Sequence, residues 1–514
     1  MNFKENYHYL IIFSSFLIIS FFIGSYLDFN RHWTTNYDHE FTLAYNALLF
    51  NNGKSIEYIA HPGYFTILFL SLFIKLLSIL SFISVDKLSL LTSENFDQSF
   101  QILMFYTRVY SSFCVALFCF ITYVLFFQFS KNKFYSIILS LIIFSSLSTI
   151  FHSAQLRTEL LAMFFLSLSL ICLKLFLENI QKYKLLFLAS FFLFLFCALL
   201  NKMQIFFFIP CIFLIFYFHD TAIEDFNINE FTFLEKRWIP YVITLIYLFY
   251  IYIQNNTQHP FPYVSSLAVI FNILLMNIFF YLIFKKNNKK IKFNLIVINL
   301  TFILVFFILK NFLSIHPSTS PILFTNLTRV MDLSMYMSHK PEINNLLSFL
   351  LVVIERFGTY FNQVLSNIIL KFNTQFLLIS SIIILTIIFK NKLTKNIIKF
   401  NITCCAVAIL IMLVNSYRAS GNVLLQYYIF SDLFLVLPLC TFSKHLKYRY
   451  LMAILILIFF SNLNLNLKYL KSKKISDQSL NAHITNLCKS TYFYDWQKSI
   501  KKEYIENYCS NFTN

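Results

Sequence analysis

The sequence predicts an all-α polytopic membrane protein, and three observations carry that prediction. Hydrophobic residues make up 58% of the 514 positions and charged residues 12%, where a soluble domain has roughly 45–50% and about 25%. Apolar stretches of about 20 residues, the length needed to cross a bilayer as a helix, recur along most of the chain. None of them alternates polar with apolar positions, which excludes a membrane β-barrel. With 67 Phe, 31 Tyr and only 5 Gly, disordered and collagen-like chains are excluded as well. The formal charge of +18 does not point to nucleic acid. Lys and Arg stand at the ends of apolar runs and form no basic groove interleaved with aromatics, so they are first a topology signal.

The first apolar run, 9–27, follows Lys4 and leads into a polar segment at Asp28. It is too long for a signal-peptide core and reads as an uncleaved first helix. Further runs cover 62–83, 104–128, 134–150, 156–177, 184–200, 203–219, 238–254, 263–284, 292–310, 347–370, 375–390, 397–414, 423–441 and 447–463. If all of them crossed, the links holding Lys131 and Lys133, and Lys390 to Lys399, would fall outside, against the positive-inside rule. Letting 62–83 and 347–370 lie along the outer surface repairs the pattern and leaves about thirteen crossings. The N-terminus is then cytoplasmic and residues 464–514 are an extracytoplasmic polar tail. The second of these stretches carries Glu355, Arg356, Asn362 and Gln363, costly against lipid but acceptable in an interfacial helix. The first opens with His61-Pro62-Gly63, a turn before a helix start.

This divides the chain into a transmembrane domain, 1–463, with large outer segments at 28–103 and 311–374, and the tail. Among 10 Cys there is no CxxC pair. Cys404 and Cys405 lie in an apolar run as packing residues, and Cys488 and Cys509 are the pair in the tail that would form a disulfide on an oxidising side.

The first outer segment holds Arg31 to Glu40, then a short helix at 41–50 ended by Asn51-Asn52-Gly53. Asp38 has two roles open to it: capping that helix, or serving as a general base toward an attacking hydroxyl. The two are compatible, since a capped carboxylate is held in one rotamer. His39 and Glu40 tune Asp38 or bind substrate in the functional reading; each alone reads as a solvated loop residue. Elsewhere polar groups interrupt apolar sequence: Arg108, His152, Arg157-Thr158-Glu159, Asn201-Lys202, Arg418 and Gln426-Tyr427-Tyr428. Singly, each is a snorkelling or helix-end residue. Together, the charge-derived topology places Arg108, Arg157, Lys202 and Arg418 on one face with Asp38 and Glu159. Four cations and two carboxylates at one membrane level suit an anionic, membrane-embedded ligand such as a lipid phosphate.

At these residues the chain resembles the integral-membrane glycosyltransferases of the GT-C superfamily. The similarity is to the branch of the protein O-mannosyltransferases and the aminoarabinose transferase of lipid A. That branch has an acidic motif on its first outer loop, then a short Ala-rich helix and a Gly, matched by Asp38 through Gly53. Its Pro before an aromatic surface helix resembles Pro62-Gly63-Tyr64-Phe65, and its Arg in the next crossing resembles Arg108. Glu159, Lys202, and Arg418 with Tyr427 and Tyr428 match its later acidic, Lys and basic-aromatic positions. The chain departs from the pattern where His39 replaces a second acidic residue and where Gln426 replaces an Arg.

The resemblance implies a GT-C-like fold of about thirteen helices with two outer interfacial helices. It also implies transfer of a sugar from a polyprenyl-phosphate carrier to a lipid, glycan or protein acceptor, outside the cytoplasmic membrane. Asp38 would be the catalytic base of an inverting displacement. Glu40, His39, Arg108, Arg157, Glu159, Lys202, Arg418 and Tyr427 would bind substrate. Some related transferases hold a divalent metal, and no compact His/Asp/Glu set commits this chain to one. The rival class, a lipid or solute transporter or flippase, calls for broken helices and inverted repeats, to which 5 Gly and the lack of an evident repeat run counter. A non-catalytic scaffold would leave the outer cluster without a role.

Overall fold

The computed structural model describes residues 3–36, 40–57, 63–178, 183–202, 205, 208–218, 262–286, 291–314, 351, 373–418, 427–444, 448–471, 477–489 and 499–513. The expected crossing 238–254 and all of 347–370 except 351 lie outside the described residues, as do Asp38, His39 and Gln426.

Every described element is helical. In chain order they are α1 Phe3–Tyr26, α2 Thr42–Asn51, α3 Tyr64–Ile79, α4 Phe96–Ser130, α5 Lys133–Phe144, α6 Leu147–Ser153, α7 Thr158–Leu177, α8 Lys184–Asn201 and α9 Ile209–Phe218. There follow α10 Pro262–Lys286, α11 Ile291–Ser314, α12 Asn373–Ile388, α13 Lys395–Arg418, α14 Tyr428–Val436, α15 Tyr448–Lys471, α16 Asp477–Lys489 and α17 Lys502–Thr513. Among the described residues, six helices are long and apolar enough to cross a membrane, or seven if α5 and α6, bent by 75°, count as one span. This is a multi-pass helical membrane protein. α1 leaves Leu10, Ile11, Ile18 and Phe22 exposed, as a lipid-facing helix does.

α4 organises the bundle, with α1, α5 and α7 packed along it, and α7 pairs closely with α8. At about 1.5 Å per residue, Arg108 on α4 and Lys131, which caps the end of α4, stand roughly 35 Å apart, close to the thickness of a hydrocarbon core. One end of the bundle holds Lys131, Lys174 and Glu178, with Glu178 3.4 Å from Lys131 and 3.1 Å from Lys174. The other end holds Arg108 and Glu159 and carries the first loop. α3 lies across this loop end: its start meets Asn201, while Phe73 packs on Tyr110 and Phe82 on Tyr106 of α4.

The run expected as one crossing at 134–150 is two helices, broken where Ser146 caps α6 by accepting from the Thr149 N–H. α2 ends as its Asn-Asn-Gly signal predicts, with Gly53 at φ +70 and the Lys54 N–H donating to the Leu49 carbonyl. It starts differently. Glu40 and Phe41 form a wider π-type turn, and Phe41, whose side chain offers no hydrogen-bonding cap, stands at the N-cap position. In the tail, Cys488 of α16 and Cys509 of α17 form a disulfide. Cys404 is buried in packing and Cys405 is half-buried.

Candidate functional site

Two buried ionic clusters form at the loop end, joined through residues 154–157. The first centres on Arg108, fully buried on α4. Its guanidinium donates from Nε and Nη2 to Glu40 Oε2, both at 3.2 Å, and from Nη1 to the Phe29 carbonyl at 2.9 Å. It also reaches the carbonyls of Arg31 and His32. Arg has five donors in a rigid fork, and here they gather one loop around one side chain. Glu40 is therefore not a solvated loop residue: it is wholly buried, and its Oε1 accepts from the Leu156 N–H at 3.3 Å. The reason is pairing, since a carboxylate at zero exposure persists only beside a matching cation.

Arg31 adds a third charge. Its Nη2 donates to the Ala154 carbonyl at 2.7 Å; burial pushes its guanidinium below the usual range and Glu40 opposes that shift. Burial likewise lowers the neighbouring His32, against the raising effect of Asp97.

The second cluster sits at the ends of α7 and α8. Lys202 Nζ lies 2.6 Å from Glu159 Oε1, and Arg157 Nε lies 3.6 Å from Oε2, so Arg157 contributes charge more than a bond. Lys202 also stands 5.0 Å from the centre of the Tyr427 ring. His152 completes the group: Nδ1 donates to the Ser148 carbonyl at 2.6 Å, and the charges of Glu159, Arg157 and Lys202 act on its ring. Arg157 Nε and His152 Nε2 are buried without an aligned hydrogen-bond partner, while the Glu159 oxygens are held by charge, Oε1 against Lys202 and Oε2 toward Arg157. Each such group carries a desolvation cost of about 1–3 kcal/mol, which a polar ligand would offset.

Backbone chemistry holds this cluster in place. Asn201 ends α8 and accepts, through Oδ1, from the N–H and hydroxyl of Thr66, while its own carbonyl accepts from the Gly63 N–H. The start of α3 is thereby capped from another helix, and Lys202 is fixed beside it. Gly63 takes φ +48, and a Cβ there would come 2.3 Å from the Thr158 Cγ2. Gly63→Ala is expected to cost about 1–3 kcal/mol and to displace Thr158 and with it Glu159. Thermal unfolding in detergent is the check; an unchanged midpoint would contradict it.

The structure thus gathers Arg157, Glu159, Lys202 and Tyr427, and separately Glu40 with Arg108. Arg418 ends α13, and its side chain lies outside the described residues, as do Asp38 and His39. Two residues were not singled out by the sequence, Asp432 and Arg31. Asp432 is fully buried on α14, accepting from Ser148 Oγ at 2.6 Å and from Gln375 Nε2 at 2.5 Å. An acidic residue alone in the run 423–441 was the available signal. Arg31 had no signal beyond polarity, because its partner is 123 positions away, and Asn201 was legible as a polar interruption while its partner Thr66, 135 positions away, was not.

Among the described residues no group of three or more His, Cys, Asp or Glu is placed to hold a metal ion. Compared with known proteins, the chain matches no protein-family model, no curated protein and no solved structure.

Proposed function

We propose that this membrane protein is an inverting glycosyltransferase of GT-C type. In this reading it moves a sugar from a polyprenyl-phosphate carrier to a lipid, glycan or protein acceptor at the outer face of the cytoplasmic membrane. The observation that carries the reading is the buried Arg157-Glu159-Lys202 cluster, positive by one charge at a membrane-level helix end, with Arg157 Nε and the neighbouring His152 Nε2 in no aligned hydrogen bond. Such a site favours an anionic headgroup whose tail lies in lipid. The loop end is taken as the outer face. Supporting this, the tail packs on the first loop and carries a disulfide, which belongs to an oxidising compartment. About thirteen crossings, with the N-terminus inside, complete the reading.

In the proposed step Asp38 takes the proton of the acceptor hydroxyl. The freed oxygen attacks the anomeric carbon, and the bond from that carbon to the phosphate oxygen breaks with its electron pair going to the phosphate. The phosphate gains negative charge as the bond breaks, so Lys202 and Arg157 bind the transition state more tightly than the ground state. Asp38→Asn is expected to lower transfer about 10²- to 10⁴-fold while leaving carrier binding intact. The measurement is mass analysis of membranes incubated with labelled polyprenyl-phosphate sugars. Transfer within tenfold of the unaltered protein would refute the assignment of Asp38.

One observation favours the rival transporter reading: the α5–α6 break beside Asp432, since discontinuous helices flanking a buried carboxylate recur in transporters. Uptake of labelled lipid or solute into proteoliposomes, with no covalent product, would establish it instead.

A further inference from the structure

We propose that the disulfide-pinned C-terminal hairpin is a positioning element that clamps the first loop against α4. α16 and α17 pack on each other and are joined by the Cys488–Cys509 bridge, with Ile484 and Ile505 buried. The hairpin then grips the loop before and after positions 37–39. Before them, His483 Nε2 donates to the Thr34 carbonyl at 3.0 Å, and the ring of Tyr508 packs 5.2 Å from that of Trp33. Trp33 is wholly buried; it also packs on Phe96 and Phe100 of α4, and its Nε1 donates to Asp97 at 2.7 Å. After them, the Glu57 carboxylate accepts from both the Tyr45 hydroxyl and the Ser499 hydroxyl. Burial and the Glu57 carboxylate raise Tyr45, which keeps its proton for that bond. A further bond joins Asn507 to Ser93 at 2.7 Å.

The loop is therefore held from two sides. Arg108 binds its carbonyls from the membrane side, and the hairpin covers Trp33 and Glu57 from the other. The cost of opening a segment locally rises with the contacts that must break, and the hairpin adds its own to those that Trp33 and Phe41 already make with α4. The disulfide stabilises the hairpin mainly by limiting its open states, so breaking it loosens the grip without removing any loop residue.

The test compares the full-length protein in nanodiscs, oxidised and reduced, with Cys488→Ser/Cys509→Ser, Tyr508→Ala and Tyr508→Phe variants. Hydrogen exchange should accelerate about tenfold or more over 31–36 and 42–57 on reduction, in the serine pair and in Tyr508→Ala. It should stay at the oxidised level in Tyr508→Phe, which keeps the ring, and α7 should not change in any of them. Unchanged exchange over 31–57, or an equal rise across the whole chain, would overturn the proposal. Resting on the transfer reading, the serine pair and Tyr508→Ala should lower kcat and leave the KM for the polyprenyl-phosphate donor in place, while Tyr508→Phe keeps both. Lack of transfer in the unaltered protein would refute that reading alone, because the exchange result decides the clamp independently.

Discussion

Under the proposed transfer, replacing Lys202 by Met is expected to lower activity about 10²- to 10³-fold, the loss seen when one preorganised charge-stabilising group is removed from an active site. Lys202 stands 2.6 Å from Glu159 and only 3% exposed, so its charge acts in a medium far less screening than water. The phosphate becomes more negative only as the sugar departs, so the effect should fall on kcat more than on KM. Met also leaves Glu159 with only the more distant Arg157, which weakens folding. Lys202→Met/Glu159→Gln removes that second effect: it should regain thermal stability and remain inactive. Transfer within tenfold of the unaltered protein in Lys202→Met, with donor supply held constant, would sink the role assigned to Lys202.

Replacing Arg108 by Ala is the substitution expected to cost most stability. It strands the buried Glu40 carboxylate, about 3–5 kcal/mol, and removes donors from the carbonyls of Phe29, Arg31 and His32. A buried ion pair exchanged whole for apolar residues is often neutral. Here it should not be, because Arg108→Met/Glu40→Leu leaves the Phe29 carbonyl without its donor and the Leu156 N–H without its acceptor, at about 1–3 kcal/mol for each that water does not reach, while the carbonyls of Arg31 and His32 keep Gln101 and Thr35. Thermal unfolding of single and double variants in detergent separates the two contributions. A double variant as stable as the parent would show that the carbonyl bonds add nothing.

Much of the architecture was legible because lipid imposes one rule on every crossing segment. Backbone groups must pair within a helix and side chains must be apolar, so composition and run length reveal the class at once. The stop of α2 at Asn52-Gly53 was legible for a similarly local reason, a left-handed turn that Gly adopts without strain. The start of the same helix was not: its π-type turn follows from Glu40 being drawn inward by Arg108, 68 positions away. Hydropathy also cannot distinguish a straight span from α5 and α6, since a 75° bend leaves composition unchanged.

Of the candidate site, the residue types and their shared level came from charge placement alone: Arg108, Arg157, Glu159 and Lys202 stood where apolar runs break. Their partners did not. That Glu40 belongs to Arg108, that Glu159 belongs to Lys202, and that Asp432 faces Ser148 and Gln375 depends on which helices pack together. The tail shows the same division. Two cysteines in a polar segment allow a disulfide, but only the folded chain brings Tyr508 onto Trp33 and Ser499 onto Glu57. By itself, then, the sequence determined a helical, multi-pass membrane protein with charges gathered at one end, because the cost of polar groups in lipid is local and additive. Which charges pair, and what grips the first loop, the tertiary structure alone decided, because pairing depends on distances between segments far apart in the chain.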